Sequence, residues 1–428
     1  MTENHRLDHK QIFSPGGLIA QQLAGYEFRP QQLQMADAVA NALETRTHLV
    51  VEAGTGIGKS FAYLLPAIDV ALETEQVVVI STNTISLQEQ LIEKDIPFLQ
   101  KILPIPFNAV LAKGRGNYLS RRRLKNLIAY ERALFETREE VDELQRIVEW
   151  VDTTADGSKA DLEKQPLPEI WNKVVSDRDN CMGQQCPTYD TCFYFKARNR
   201  MWNADLLIVN HHLLFSDLAL RKASPLAAVL PDYDYLIIDE AQHLETVATH
   251  HASVEISNAR VRRFLDSLYR PRGSTGLLVR FGRIQMFGLV ENAREQMDKL
   301  FDGILEWTSK QGTRDWGGGA TQRVNQSNFV ENTLDIPLNQ LQQGLKEMQA
   351  GTEDENDQQE ITAHLRRCVQ LRDELDLMIR QPEPEYVYWV STSKRRYGTE
   401  ITLNATPVNI SEELATDLFD LLLTSRSS

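Results

Sequence analysis

The chain has 428 residues, a formal net charge of -14 at pH 7, and 42% hydrophobic residues. This length can hold about three domains with ample cores, and the negative charge argues against nonspecific nucleic-acid binding over the whole surface. No segment reaches the roughly 18 apolar residues of a membrane span, and the opening MTENHRLDHK lacks the apolar core of a signal peptide. The composition therefore indicates a cytoplasmic protein with no membrane partner.

Residues 48–60 have the pattern of a phosphate-binding loop between a strand and a helix. The apolar β-branched run HLVVEA leads into AGTGIGKS, and apolar residues at helical spacing follow. In such a loop the glycines turn backbone N–H groups toward phosphates, the lysine reaches the β- and γ-phosphates, and the hydroxyl ligates Mg²⁺. We therefore predict that ATP is bound by the residues of this loop: Ala53, Gly54, Thr55, Gly56, Ile57, Gly58, Lys59 and Ser60. Lys59 is also predicted to be catalytic, and Ser60 to be a Mg²⁺ ligand.

Basic residues are bunched in LAKGRGNYLSRRRLK, where six cationic side chains lie between Lys113 and Lys125. Such a cluster can meet a phosphate backbone, and a tyrosine within it can stack on a base. The DNA contacts predicted here are Arg115, Tyr118, Arg121, Arg122 and Arg123. The alternative is a solvated start of a helix that binds nothing.

Three of the four cysteines, Cys181, Cys186 and Cys192, are crowded into CMGQQCPTYDTC. In a cytosolic chain this crowding favours metal over disulfides, with a zinc site or three core thiols as alternatives. Cys368 instead lies on a helical apolar stripe, which predicts core packing. His211 and His212 are adjacent and point apart on a helix, so a shared metal site is not expected there.

The run YDYLIIDEAQH brings two carboxylates to the end of an apolar strand, which is where open α/β sheets place their active sites. Asp239 is predicted to hold Mg²⁺, and Glu240 to polarise the attacking water. The alternative is an ordinary strand-to-helix turn with an acidic N-cap. The phosphate-binding loop upstream favours the catalytic interpretation.

These motifs resemble the first motor domain of the DinG/XPD-type iron-sulfur DNA helicases of superfamily two. The DEAH box of that family reads DEAQ here, and His243, which follows it, is carried over as a catalytic residue. By resemblance, GYEFRPQQLQM is the adenine-sensing element, with Arg29 and Gln32, and STNTISLQEQL is the first DNA-contacting motif, with Thr82. KGRGNYL and LLIVNHHLL resemble the entry to and exit from the cluster domain.

The resemblance also gives the cysteines a role as the last three ligands of a [4Fe-4S] cluster. The first ligand of the family falls on Ser120. Because an alkoxide is a poor ligand for a soft metal, the cluster is expected to be retained with a weak or absent fourth ligand, to be labile, or to be lost.

The predicted fold class is α/β, with a RecA-like parallel sheet interrupted by an iron-sulfur-type insertion and a helical arch insertion. Strands are expected at 48–52, 77–81, 107–111, 206–210 and 235–239, and helices near 30–44, 59–72 and 84–101. The insertion at 112–205 begins with a long charged helix, 121–152. The predicted domains are a motor domain (1–111 and 206–253), the cluster-type insertion (112–205), the arch (254–385) and a return segment with a hairpin and a helix to Leu423 (386–428).

The resemblance implies an ATP-dependent DNA helicase that moves 5′ to 3′ on single-stranded or forked DNA in repair or replication. No second motor domain is recognised in the sequence, and that domain supplies an arginine worth roughly 10³ or more in rate in related enzymes. We therefore expect this chain alone to bind ATP and hydrolyse it poorly. The alternative is a non-catalytic module that binds nucleic acid or a protein partner and keeps a vestigial nucleotide site.

Overall fold

The computed structural model describes residues 7–54, 56–129, 135, 137–224, 227–272, 274–311, 319–395, 398–416 and 418. The chain forms two compact units. Unit 1 is built from Met1–Gly114, Phe195–Ala248 and Ser411–Ser428, and unit 2 from Arg115–Tyr194 and Thr249–Ile410. No helix in the described part of the chain is long and apolar enough to cross a membrane.

The α-helices, numbered in chain order, are α1 His9–Phe13, α2 Leu18–Gln22, α3 Pro30–Thr45, α4 Lys59–Thr74, α5 Ile85–Gln90, α6 Ile96–Ile102, α7 Arg121–Ala129, α8 Arg138–Val151, α9 Pro168–Val174, α10 Phe193–Met201, α11 His211–Ala223, α12 Leu244–Ala252, α13 Asn258–Leu268, α14 Leu277–Arg280, α15 Phe287–Lys310, α16 Asp335–Ala350, α17 Glu355–Arg380 and α18 Ser411–Ala415. The strands are β1 Val78–Thr82, β2 Ala109–Leu111, β3 Leu206–Asn210, β4 Tyr235–Ile238, β5 Val254–Ser257, β6 Gly319–Val324, β7 Tyr386–Arg395 and β8 Gly398–Pro407.

Unit 1 is organised around a parallel sheet with the strand order β2-β3-β1-β4. All five residues of β1 are buried, as expected for a parallel strand covered on both faces. Helices α3 and α4 belong to this unit, and their apolar faces share one core with β1 and β3. The parallel sheet predicted from the sequence is therefore present and places the ends of β1, β3 and β4 at one edge.

The strand predicted at 48–52 is not part of this sheet. Leu49 and Val51 are 43% and 41% exposed, and Val50 is 96% exposed. The apolar β-branched composition that predicted a strand is real, but a strand also needs a paired neighbour. Among the described strands β4 pairs only with β1, and none pairs with residues 48–52.

The predicted helix at 84–101 is interrupted by a π-helical stretch, Leu91–Asp95, between α5 and α6. The long helix predicted at 121–152 is represented by α7 and α8. Thr137 is the N-cap of helix α8, and its side chain and that of Glu140 form a capping box. A capping box satisfies the free N–H groups of the first turn, which explains why a helix starts at Arg138.

Unit 2 contains an antiparallel sheet with the order β5-β8-β7-β6 and a large helical layer. The predicted hairpin after residue 386 is present as β7 and β8. It shares a core with α13, α15, α16 and α17, so it completes the sheet of the helical insertion. The end of the predicted final helix, at Leu423, lies outside the described residues. The domain limits expected from the sequence stay predictions.

Candidate nucleotide-binding site

The glycine-rich loop turns into α4 through left-handed backbone conformations. Gly56 has φ 79° and Gly58 has φ 83°, a region that glycine adopts without strain. Gly58 is also short of space, because an added Cβ would lie 2.2 Å from Nε2 of Gln32. That amide donates a hydrogen bond to the Gly58 carbonyl at 2.9 Å. The predicted adenine-sensing residue Gln32 therefore lies against the phosphate-binding loop itself.

Lys59 and Glu240 form an ion pair across the site. The Lys59 Nζ atom lies 3.0 Å from Glu240 Oε1, and both side chains are about three-quarters buried, at 29% and 27% exposure. This hydrogen bond from Lys59 is the main cause that lowers the pKa of Glu240, and Gln242 adds a second bond. Glu240 is therefore ionised, and the predicted phosphate-binding lysine and water-polarising carboxylate lie side by side.

Asp239 lies deeper than its neighbour and is held by a buried tyrosine. Tyr63, on α4, donates its hydroxyl to Asp239 Oδ2 at 3.2 Å. Burial raises the pKa of Asp239, and the Lys59 charge opposes that shift. Burial and the Asp239 charge raise the pKa of Tyr63, which keeps its proton available for the hydrogen bond.

Ser60, the other predicted Mg²⁺ ligand, is hydrogen-bonded to Asp95. Burial raises the pKa of Asp95, and the bond from Ser60 opposes that shift. A hydroxyl that donates its proton to a carboxylate keeps its lone pairs for a cation. Ser60 and Asp239 supply oxygen donors of the kind that Mg²⁺ prefers. The residues present therefore fit a magnesium-bound nucleotide.

The other predicted nucleotide contacts occupy more open positions. Ala53 and Ile57 are half-buried, Gly54 is exposed, and Thr55 lies outside the described residues. Arg29 is exposed and pairs with Glu27 at 3.5 Å. His243, predicted as catalytic, is exposed on a short turn after Glu240, and its backbone N–H donates to the Glu240 carbonyl at 3.1 Å.

Two residues of the site were not predicted from the sequence: Tyr63 and Asp95. Tyr63 lies one helical turn after Lys59, so the i, i+4 spacing could have placed it on the same face. Asp95 reaches Ser60 from the π-helical stretch, and no sequence signal marks that position.

The predicted DNA contacts are placed mostly inside the protein. Thr82 is fully buried at the end of β1, and Tyr118 is 3% exposed against the Tyr194 ring. Arg115 lies over the Tyr194 ring at 3.8 Å, and Arg121 lies over Phe193 at 4.5 Å.

The two most buried arginines of this cluster are satisfied by internal acceptors. Arg122 donates to Asn180 and Asn356, and Arg123 donates to the carbonyls of Asn172 and Val175. A guanidinium whose donors are used in this way has few left for a phosphate. In this structure both side chains are held by contacts within unit 2, and their contact with DNA stays a prediction.

The three clustered cysteines are half-buried and form no disulfide among the described residues, whereas Cys368 is buried in the core, as predicted. The sulfur of Cys181 accepts a hydrogen bond from the Gly183 N–H and contacts Arg115. Ser120 directly precedes helix α7, and its Oγ atom accepts the N–H of Arg123 at 3.4 Å. Within the described residues no three His, Cys, Asp or Glu side chains come together as a metal site.

Comparison with known proteins bears on the identity of these motifs. The DEAD/DEAH box helicase model matches residues 29–152, and the DEAD_2 model matches residues 158–261. The chain is 36% identical over 251 residues to the ATP-dependent DNA helicase YoaA of Haemophilus influenzae, covering 58% of this chain and 38% of that protein. It is 38% identical over 267 residues to the ATP-dependent helicase DinG of Mycobacterium tuberculosis, covering 57% of this chain and 39% of that protein.

A relative with a different described activity is the 3′-5′ exonuclease DinG of Bacillus subtilis, which is 32% identical over 240 residues, or 54% of this chain and 24% of that protein. The chain thus spans about two fifths or less of the length of these relatives. The matches cover both the phosphate-binding loop and the DEAQ box. Over residues 29–152 and 158–261 this chain therefore matches the DEAD/DEAH box helicases of the DinG type.

Proposed function

We propose that this chain binds Mg²⁺-ATP and forms part of an ATP-dependent DNA helicase. The observation that carries the proposal is the ion pair between Lys59 and Glu240, because it brings the phosphate-binding lysine and a hydrolytic carboxylate to one point. The names of relatives such as YoaA, an ATP-dependent DNA helicase, support the same activity. A vestigial nucleotide site is less well supported, since Lys59, Ser60, Asp239 and Glu240 are all retained.

In the proposed mechanism Lys59 exchanges its contact with Glu240 for the phosphates. Ser60 and Asp239 would hold a magnesium ion, which would neutralise phosphate charge. Glu240, released from its ion pair, accepts a proton from the attacking water and orients it. Tyr63 keeps Asp239 in place throughout. Coupling of this cycle to movement along single-stranded or forked DNA, 5′ to 3′ and in repair or replication, is part of the proposal and follows from the family alone.

No iron-sulfur cluster enters this mechanism, because the residues as arranged do not fit one. Ser120 stands at the position of the first ligand, and within the described residues no three His, Cys, Asp or Glu side chains come together as a metal site. Oxygen from serine is also a poor donor for iron in such clusters.

Nucleotide affinity of the purified chain tests the proposal. We expect Lys59→Ala to abolish measurable binding of Mg²⁺-ATP, because the phosphates lose their main cationic partner. Lys101→Ala removes an exposed lysine at the end of α6 and serves as the matched control. Equal affinity in wild type and Lys59→Ala would contradict the proposed site.

A further inference from the structure

His211 is the first residue of α11, directly after β3, and it is fully buried. Its Nδ1 atom lies 2.7 Å from the Oγ atom of Ser81, which is also fully buried, on the neighbouring strand β1. The sheet register explains the contact, because Ser81 pairs with Val209 and Thr82 with Asn210. One side of the imidazole ring is therefore anchored to β1.

The ring lies beside the start of the DEAQ turn, because Ser81 pairs with Ile238, the last residue of β4 before Asp239. Burial lowers the pKa of His211, and the backbone of Glu240 and of Asp239 opposes that shift. The Nε2 atom is buried and has no hydrogen-bond partner within the described residues. Ser81 also accepts the Asp239 N–H through its carbonyl, at 2.8 Å. The same serine thus fixes both the ring and the start of the turn.

The surroundings select one tautomer of the ring. A neutral imidazole has one donor and one acceptor nitrogen. If the Ser81 hydroxyl donates to Nδ1, the proton of the ring lies on Nε2 and faces the carbonyls of Asp239 and Glu240. The opposite tautomer would place the Nε2 lone pair against those carbonyls, which is repulsive. The Nε2–H form is therefore favoured.

The turn that His211 faces is strained. Glu240 has φ 59° and ψ 45°, a left-handed conformation that is unfavourable for a non-glycine residue and persists only where its surroundings hold it. Its carboxylate is held by Lys59 and Gln242. In the proposed reaction Lys59 moves to the phosphates, so part of this support is lost at the moment when Glu240 must be oriented.

We propose that His211 is a positioning residue for Glu240, with its Nε2–H donating to the main-chain carbonyl of Glu240 and holding the left-handed turn that aims the carboxylate at the attacking water. This inference rests on the proposed ATPase function. His211 itself is fully buried. It acts through the backbone of the turn, and Ser81 sets its tautomer.

Hydrolysis rates and nucleotide affinity separate a positioning role from a structural one. His211→Met keeps the volume and removes the donor, whereas His211→Gln keeps an N–H near the place of Nε2. We expect His211→Met to lower the single-turnover hydrolysis rate at saturating Mg²⁺-ATP by about 10-fold, as for one lost positioned hydrogen bond. The affinity should stay within about two-fold of wild type, and His211→Gln should recover most of the rate.

The exposed neighbour gives the control, because His212→Gln should leave rate and affinity unchanged. Equal loss in the Met and Gln variants, or a loss of affinity that matches the loss of rate, would overturn the inference.

A spectroscopic measurement tests the tautomer of His211 and does not depend on ATP hydrolysis. In ¹⁵N spectra of the histidine rings, the His211 signals, identified by their absence in His211→Gln, should report the Nε2–H tautomer. Ser81→Ala should convert them to a mixture of tautomers. A His211 ring in the Nδ1–H form overturns the proposal. Absence of Mg²⁺-ATP binding in wild type would count against the proposed function, while the tautomer would still decide the role of His211.

Discussion

Replacing Glu240 by glutamine should tighten ATP binding while stopping turnover. In the absence of nucleotide, Lys59 is held by Glu240 at 3.0 Å. Phosphate binding must break this pair. Glutamine has nearly the same shape but no charge, so it releases the lysine without leaving a cavity. It also removes a negative charge that would face the γ-phosphate.

The size of the effect follows from the exposure of the pair. Both side chains remain more than a quarter exposed, and ion pairs of that kind contribute about 0.5–1 kcal/mol. A difference of about 1.4 kcal/mol corresponds to tenfold in affinity, so Glu240→Gln should bind Mg²⁺-ATP about two- to five-fold more tightly. Turnover should fall by at least about 100-fold, because an amide accepts no proton from water.

Isothermal titration calorimetry at two salt concentrations measures the first effect. The gain in affinity should shrink at high salt, since screening weakens the wild-type ion pair. Glu245→Gln, on the exposed surface of α12, removes the same charge from the same unit and should change nothing. An affinity of Glu240→Gln equal to or weaker than wild type would refute this reasoning.

Three further predictions concern other parts of the structure. Tyr63→Phe should lower the free energy of unfolding by about 1–2 kcal/mol in urea titrations, because the buried Asp239 carboxylate loses its donor; unchanged stability would contradict that role. Burial lowers the pKa of His364, so at mildly acidic pH the unfolded chain binds a proton at this residue and the folded chain does not. Stability should therefore fall as pH drops below about 6.5, and His364→Gln should flatten this dependence in denaturation midpoints measured across pH. Burial raises the pKa of Cys368 to about 12, so a thiol reagent should label Cys181, Cys186 and Cys192 in the native protein and Cys368 only after unfolding. Protection of the trio in protein that contains iron, with more iron and slower bleaching in air after Ser120→Cys, would instead favour a bound cluster.

The sequence was most informative where the residue types of a motif indicate their chemical roles. The phosphate-binding loop and the DEAQ box predicted that Lys59 and Glu240 belong to one site, and four of the five expected strands were found, three of them within one residue of their predicted bounds. Composition was less informative about which charged side chains face solvent. Arg122 and Arg123 look like a basic surface in the sequence, yet both are buried. Acceptors from distant segments take their hydrogen bonds: Asn180 and Asn356 for Arg122, and the carbonyls of Asn172 and Val175 for Arg123. Only the tertiary structure brings those acceptors together.

The strand expected at 48–52 is a second case in which local sequence did not predict the structure. Its residues have the right composition, but strand formation depends on a neighbour that local sequence does not specify.

The open edge of β4 has a consequence for handling the protein in solution. Tyr235–Ile238 is paired on one side only among the described strands, and unit 1 also exposes Leu49, Val50 and Val51. Unpaired edges and apolar β-branched segments are templates for added strands from other molecules. Self-association that grows with concentration would then bury the approach to the phosphate-binding loop and depress apparent nucleotide affinity. Binding constants should therefore be measured across a dilution series of the protein, in which the nucleotide affinity of the site itself stays constant.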